Sequence, residues 1–257
     1  MSQNMFCLKG ETILYIGKEI GVTGVYGIPD GLSVKTLTDY SALMSRALDD
    51  MIENSCAEMD FNGKAVIDND LKDMIRKCSS SDALFVLDKR EENGVIEQNI
   101  IFMDIENKNK DTLVYMRHPD CEKDDYIIRS IDTMGVKRAL NDITEVPDVN
   151  NYCDIALESG IVENCNISEM INGGCNALLV EVIEKALCGK TKTISARKIV
   201  AGKEVASFSS IIDRNMLLAM DMQYEITEDM SSKEYVHFYS IKPESIMEKV
   251  FQVMEAS

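Results

Sequence analysis

The stretch Ala83-Leu-Phe-Val-Leu87-Asp-Lys-Arg-Glu-Glu-Asn93-Gly94-Val-Ile-Glu-Gln-Asn-Ile100-Ile-Phe-Met-Asp104 decides the fold class. Ala83 to Leu87 is a compact apolar run of strand length. Asn93-Gly94 lies between it and a second apolar run, and Asn-Gly in that setting is a strong hairpin signal because both residues accept positive φ. Asn107 to Asp111 is a polar turn, and Thr112-Leu-Val-Tyr-Met116 follows as a third strand. Three successive strands with short links make an antiparallel meander. Strict strand–helix–strand alternation is missing, so an α+β class is expected over a doubly wound parallel sheet, with antiparallel hairpins and meanders covered by helices.

Working outward, Phe6-Cys-Leu8 and Thr12-Ile-Leu-Tyr-Ile16 read as an opening hairpin, and Gly21 to Ile28 as more β structure closed by Ile28-Pro-Asp-Gly31. Leu43, Met44, Ala47, Leu48, Met51 and Ile52 recur at helical spacing behind a cap at Thr38 or Asp39. Leu71 to Cys78 is a second helix, with Asn69 or Asp70 near its start. Asp124 to Leu140 reads as helical, and so does Ile212 to Met222. Asn176 to Cys188 is apolar on most sides, the mark of a buried helix stopped by Gly189. Thr193 to Val200 and Val205 to Ser210 form a hairpin turning at Ala201 to Glu204. Glu234 to Ile241 is a strand, and Pro243 opens the last helix. Asn141 to Asn151 is polar, contains a Pro, and is the candidate linker if the chain has two lobes, 1–145 and 146–257. Ile16-Gly-Lys-Glu-Ile-Gly21 and Ala201-Gly-Lys-Glu-Val-Ala206 echo each other.

Composition bounds the function. The 257 residues suffice for one large domain or two small ones. Hydrophobic residues make up 45%, so the chain can bury a core. Lys and Arg total 27 against 44 Asp and Glu, a net charge of −17. That balance excludes a phosphate-tracking nucleic-acid surface and repels an anionic membrane. It fits solubility, or a protein partner with a basic surface. No apolar run reaches membrane-spanning length. The N-terminus has no signal-peptide pattern, so a reducing cytoplasm and eight free thiols are expected. Without a CxxC, and with only His118 and His237, no zinc site of ordinary spacing exists, and no cofactor is implied.

Three segments bear on chemistry. Gly17, Gly21, Gly24, Gly27 and Gly31 alternate with Val, Tyr and Ile and lack the immediate helix of a phosphate loop, so they read as a glycine-rich curved strand. Asp120 to Asp125 fails the calcium-loop pattern and reads as the acidic start of a helix, with His118 in a surface loop before it. Asn172-Gly-Gly-Cys175-Asn176 places a cysteine after a tight turn at the head of a buried helix, where free backbone N–H groups would lower its thiol pKa. In general shape this resembles the nucleophile helix of papain-like cysteine hydrolases. His237, in the strand Tyr235-Val-His-Phe-Tyr239, follows it in the family's order. The resemblance implies Cys175 as nucleophile and His237 as base, with Asn215 or Glu234 as orienting groups. Asn176 stands where that family has an aromatic residue. Two function classes therefore fit the sequence: a non-enzymatic binding protein, and a cysteine-dependent hydrolase or transferase using Cys175 and His237.

Overall fold

The computed structural model describes residues 5–29, 36–103, 113–144, 146, 149, 151–226 and 232–256. Among these, two runs of elements have the same plan. The first is β1 (Met5–Lys9), α1 (Gly10–Glu19), α2 (Leu37–Glu53), a small hairpin of β2 (Ala57–Met59) and β3 (Ala65–Ile67), α3 (Asn69–Ser80), then β4 (Ala83–Arg90), β5 (Ile96–Met103), β6 (Leu113–His118), β7 (Asp125–Ile131) and α4 (Thr133–Thr144). The second is β8 (Asp154–Glu158), α5 (Ser159–Glu163), α6 (Ile167–Asn172), α7 (Ala177–Leu187), β9 (Lys192–Val200), β10 (Lys203–Ile212), β11 (Leu217–Ile226), β12 (Ser232–Ser240) and α8 (Pro243–Glu255). Apart from the small β2–β3 hairpin inserted in the first, both runs read strand, helices, four strands, helix. In both, the first strand returns to pair antiparallel with the last: β1 with β7, and β8 with β12. The class is mixed α+β with antiparallel meanders.

The chain divides into two compact units. One comprises Met1–Val86, Glu97–Arg138 and Ile199–Lys203, the other Leu87–Ile96, Ala139–Lys198 and Glu204–Ser257. Each has its own core. In the first, Phe6, Leu8, Val86, Ile100, Val114, Met116 and Ile128 lie on one sheet face and meet Ile13 and Ile16 of α1 and Leu71, Met74 and Ile75 of α3. In the second, Leu157, Ile211, Leu218 and Phe238 meet Val162, Met170 and Leu179, Val180, Val182 and Ile183 of α5 to α7. Each fully buried aliphatic side chain contributes about 1.5–3 kcal/mol, so these two clusters supply the main folding drive.

Local signals place the helix ends. Thr36, not Thr38 or Asp39, caps α2. Its side chain accepts from the Asp39 N–H while the Asp39 carboxylate accepts from the Thr36 N–H, a reciprocal capping box. Asp68 caps α3 by accepting from the N–H groups of Asp70 and Leu71.

Several expectations are corrected. Gly10 to Glu19 is a helix, not a strand, because Ile13, Ile16 and Gly17 bury one helical stripe. Gly21 to Ile28 is irregular loop. Leu217 to Ile226 is a strand, not a helix, and Asp125 to Ile131 is a strand ahead of the shorter helix α4. Asp120 begins a turn instead of a helix, accepting from Glu122 N–H at 3.1 Å and pairing with Lys123 at 3.0 Å. His118 is buried, stacked on Tyr126 with ring centroids 4.1 Å apart, and its Nε2 meets the Lys123 carbonyl. The sequence echo joins unlike structures: Ile16–Gly21 ends α1, while Ala201–Ala206 turns the β9–β10 hairpin. The turns at Asp30-Gly31 and Asn107–Asp111 lie outside the described residues, as do 145, 147, 148 and 150 of the candidate linker; the linker's first residues, Asn141 to Thr144, are instead the last turn of α4.

Gly27 is the glycine the first core needs. Its φ of +83° is in the left-handed region, and a Cβ there would meet Ile100 Cδ1 at 2.3 Å. Gly27→Ala is expected to cost about 2–4 kcal/mol, combining backbone strain with overpacking. Urea denaturation checks this; an unchanged midpoint would contradict the packing described for this loop.

Candidate functional site

The two residues singled out in the sequence both lie in the second unit, on either side of β12. Side chains alternate along a strand. Phe238 points into the core cluster that contains Cys175 and α7, with Val236 packed against it. His237 therefore faces the other way, beside its cross-strand neighbours Asp221 on β11 and Ala156 on β8. Cys175 and His237 are not brought together.

Cys175 is a core residue. It is 5% exposed, and burial pushes its thiol pKa up, against the lowering expected at a helix head. The reason is local. Asn176 is the N-cap of α7, and its side chain takes the Leu179 N–H at 2.8 Å, so the cap and not the sulfur uses the helix's free donors. Cys175 stands one residue outside that cap, and its own N–H bonds the Met170 carbonyl at 3.0 Å. The preceding Gly-Gly serves packing. A Cβ on Gly173 would strike Leu157 Cδ2 at 2.8 Å, and Gly174 adopts φ +101°. Cys153 lies in the same cluster with its pKa pushed up to about 11, first by burial and then by the neighbouring Cys175.

His237 is held at both nitrogens. Its Nε2 lies 2.7 Å from Asp154 Oδ1, and its Nδ1 lies 3.1 Å from Gln223 Nε2. Donation from the Gln223 amide to Nδ1 leaves the proton on Nε2, where it is given to Asp154. The His237 bond, and then the Tyr152 hydroxyl at 3.3 Å, hold the Asp154 carboxyl below its usual range. Beside it, the Tyr239 ring lies 5.2 Å from the imidazole. Burial and a bond to Asp221 push the Tyr239 hydroxyl up to about 12. This is a satisfied polar ladder across β8, β12 and β11, and both imidazole nitrogens are already engaged.

Neither expected orienting group reaches His237. Asn215 sits in the β10–β11 turn, its N–H bonded to Asp213 and its carbonyl accepting from Asn151. Glu234 accepts from Ser159 at 3.3 Å and bonds Tyr224. Asp154 takes the partner role instead. It lies far from His237 in sequence, and no spacing rule could have found it.

The feature missed from the sequence lies on the opposite face of the same hairpin. Leu218, Met220, Met222, Tyr224 and Ile226 line one face of β11 at period two. Leu218 is buried and Met220 partly so. Met222, Tyr224 and Ile226 are 50%, 68% and 76% exposed, an apolar row running out from the core edge. The alternation was present in the sequence but was masked by the Met and Leu content, which favours helix. In the first unit the β2–β3 turn also presents an apolar tip. Asp60 Oδ1 accepts from the N–H groups of Asn62 and Lys64 at 2.8 Å each, leaving Phe61 fully exposed.

Among the described residues no group of three His, Cys, Asp or Glu side chains could hold a metal ion, and no helix is long and apolar enough to cross a membrane. Comparison of the sequence with protein-family models and with curated proteins finds no match.

With its thiol buried, Cys175 is expected to react with iodoacetamide at least about tenfold more slowly than the exposed Cys7, Cys121 and Cys188 at neutral pH. Peptide mapping over a time course reads the rates; first labelling at Cys175 would revive the nucleophile reading. The depressed Asp154 carboxyl contributes stability at neutral pH that is lost as pH falls through its folded-state value. Asp154→Asn should flatten the acid limb of a pH–stability profile, and an identical limb would show that the Asp154–His237 pair contributes nothing.

Proposed function

We propose that this chain is a cytoplasmic, non-enzymatic binding protein that takes a protein partner with a basic surface on the exposed row Met222, Tyr224 and Ile226. The observation that carries the reading is that row. A single exposed apolar side chain is ordinary, but three in register on one strand face form a continuous ridge. Tyr and Met are among the residue types enriched at interfaces, giving much contact area for little lost freedom. The charge supports a basic partner: Glu234 stands beside Tyr224, Glu228 and Asp229 follow in sequence, and the whole chain carries −17. Such a surface accelerates encounter with a basic patch while the apolar row sets the residence time.

The test is capture from native lysate by the wild-type chain and by the triple variant Met222→Ser, Tyr224→Ser, Ile226→Ser, with circular dichroism to confirm the fold. The variant is expected to weaken retention by at least about tenfold, and salt should weaken the wild type progressively. Equal retention by both chains, or a wild-type chain that holds no partner at any salt, would overturn the reading.

A further inference from the structure

The dipeptide Asn-Gly occurs three times, at Asn62-Gly63, Asn93-Gly94 and Asn172-Gly173. In such a pair the glycine nitrogen, unshielded by a Cβ of its own residue, can attack the asparagine side-chain amide and close a succinimide ring. The covalent chain itself brings the two atoms within reach, because they belong to adjacent residues. What separates the three sites is the freedom of the backbone to turn and the charge facing the amide oxygen, where negative charge develops during the attack.

Asn172 is the last residue of α6, and ring closure there must unwind the helix end. The Gly173 N–H is bonded to the Glu169 carbonyl at 2.8 Å, and the Cys175 N–H to the Met170 carbonyl at 3.0 Å. Asn62 and Asn93 instead hold the same place in two like turns. In one, the Asp60 N–H bonds the Lys64 carbonyl at 2.9 Å and the Gly63 N–H bonds the Asp60 carbonyl at 3.0 Å. In the other, the Glu91 N–H bonds the Val95 carbonyl at 2.9 Å and the Gly94 N–H bonds the Glu91 carbonyl at 3.0 Å. Gly63 and Gly94 carry the positive φ, +73° and +86°. A Cβ on either would meet no atom within 4 Å, so water reaches both.

The first residue of each turn sets the two apart. The Asp60 carboxylate accepts from the N–H groups of Asn62 and Lys64 and also bonds the Asn62 side chain. A negative charge therefore stands against the Asn62 amide and opposes an oxyanion there. The Glu91 carboxylate is paired with Lys89 at 2.8 Å. Asn93 Oδ1 accepts from the Val95 N–H at 3.1 Å. That bond folds the Asn93 amide across Gly94 and places a donor on the oxygen that becomes the oxyanion.

We propose that Asn93 is a modification site whose amide is lost spontaneously, leaving an isoaspartyl link in the β4–β5 turn. Hydroxide takes the Gly94 N–H proton, the nitrogen bonds Asn93 Cγ, and the Cγ–Nδ2 bond breaks. The departing nitrogen takes a proton from water and leaves as ammonia, which restores the hydroxide. Water then opens the ring. Opening at the Asn93 main-chain carbonyl breaks its bond to the Gly94 nitrogen and leaves the chain running through Cγ, the isoaspartyl link; opening at Cγ gives ordinary aspartate. One water is consumed and one ammonia released, with no oxidation. The product carries a new carboxylate beside Glu91 and Glu92, and an extra methylene in the backbone of a tight turn.

The experiment incubates the full chain in mildly alkaline buffer and maps its peptides over time. An isoaspartyl methyltransferase with labelled S-adenosylmethionine marks the isoaspartyl product. Asn93 is expected to convert first, with isoaspartate the larger product, and Asn62 and Asn172 at least about tenfold more slowly. In urea the three sites should convert at similar rates, since the selectivity lies in the fold. Asp60→Asn keeps an acceptor in its turn but removes the charge, and should speed conversion at Asn62 severalfold while leaving Asn93 unchanged. An Asn93 that stays intact while Asn62 or Asn172 converts, equal rates in the folded chain, or an Asn62 rate unmoved by Asp60→Asn would overturn the proposal.

Discussion

The pleat of β12 is the constraint on which the second unit depends. Once Phe238 is committed to the core beside α7, the two-residue period fixes every neighbour. Val236 and Phe238 belong to the helix side, and Tyr235, His237 and Tyr239 belong to the other. A register slip of one residue would bury the imidazole and expose the phenyl ring, so the arrangement is strongly specified. The same pleat runs through the paired strand β11, sending Leu218, Met220, Met222, Tyr224 and Ile226 to the helix side and Asp221 and Gln223 to the other. One hairpin thus carries an apolar ridge on one face and a satisfied polar ladder on the reverse.

That division explains the chemistry. A nucleophile and its base must share a face and a cleft, with the base free to take a proton. Here the thiol is sunk among Leu179, Met170 and Phe238, the imidazole is held by Asp154 and Gln223, and a sheet lies between them. The papain-like resemblance rested on order along the chain, which strand alternation does not preserve. On the helix side of the same sheet, Met222, Tyr224 and Ile226 at the outer end of β11 stay exposed while Leu218 is buried in the core.

Much of the fold was legible, and the failures have physical causes. Helices α2, α3 and α8 showed period-3.6 burial, α7 a run apolar on most sides and the β4–β5 hairpin its Asn-Gly turn, but the caps of α2 and α3 fall at Thr36 and Asp68, upstream of the residues expected there. Four segments were read in the wrong state, Gly10 to Glu19, Gly21 to Ile28, Asp125 to Ile131 and Leu217 to Ile226, and the first and last show why. Gly10 to Glu19 contains Ile and Tyr, which suit strands, yet Ile13, Ile16 and Gly17 pack as a stripe; tertiary burial overrode propensity. Leu217 to Ile226 is rich in Leu and Met, which suit helices, yet its alternation with Asp221, Gln223 and Glu225 marked a strand. The repeated strand–helices–meander–helix plan was not legible, because it resides in topology and the short sequence echo points elsewhere. The Asp154–His237 contact was equally hidden, since β8 reaches β12 only through the closing antiparallel pair.

The placement of His237 on the face opposite Cys175 can be read directly by nuclear Overhauser spectroscopy on the labelled chain. The account predicts cross-peaks from the His237 ring protons to the Tyr239 ring and the Ala156 methyl, and none to Cys175 or Leu179. Cross-peaks from the imidazole to the Cys175 Cβ protons would contradict it.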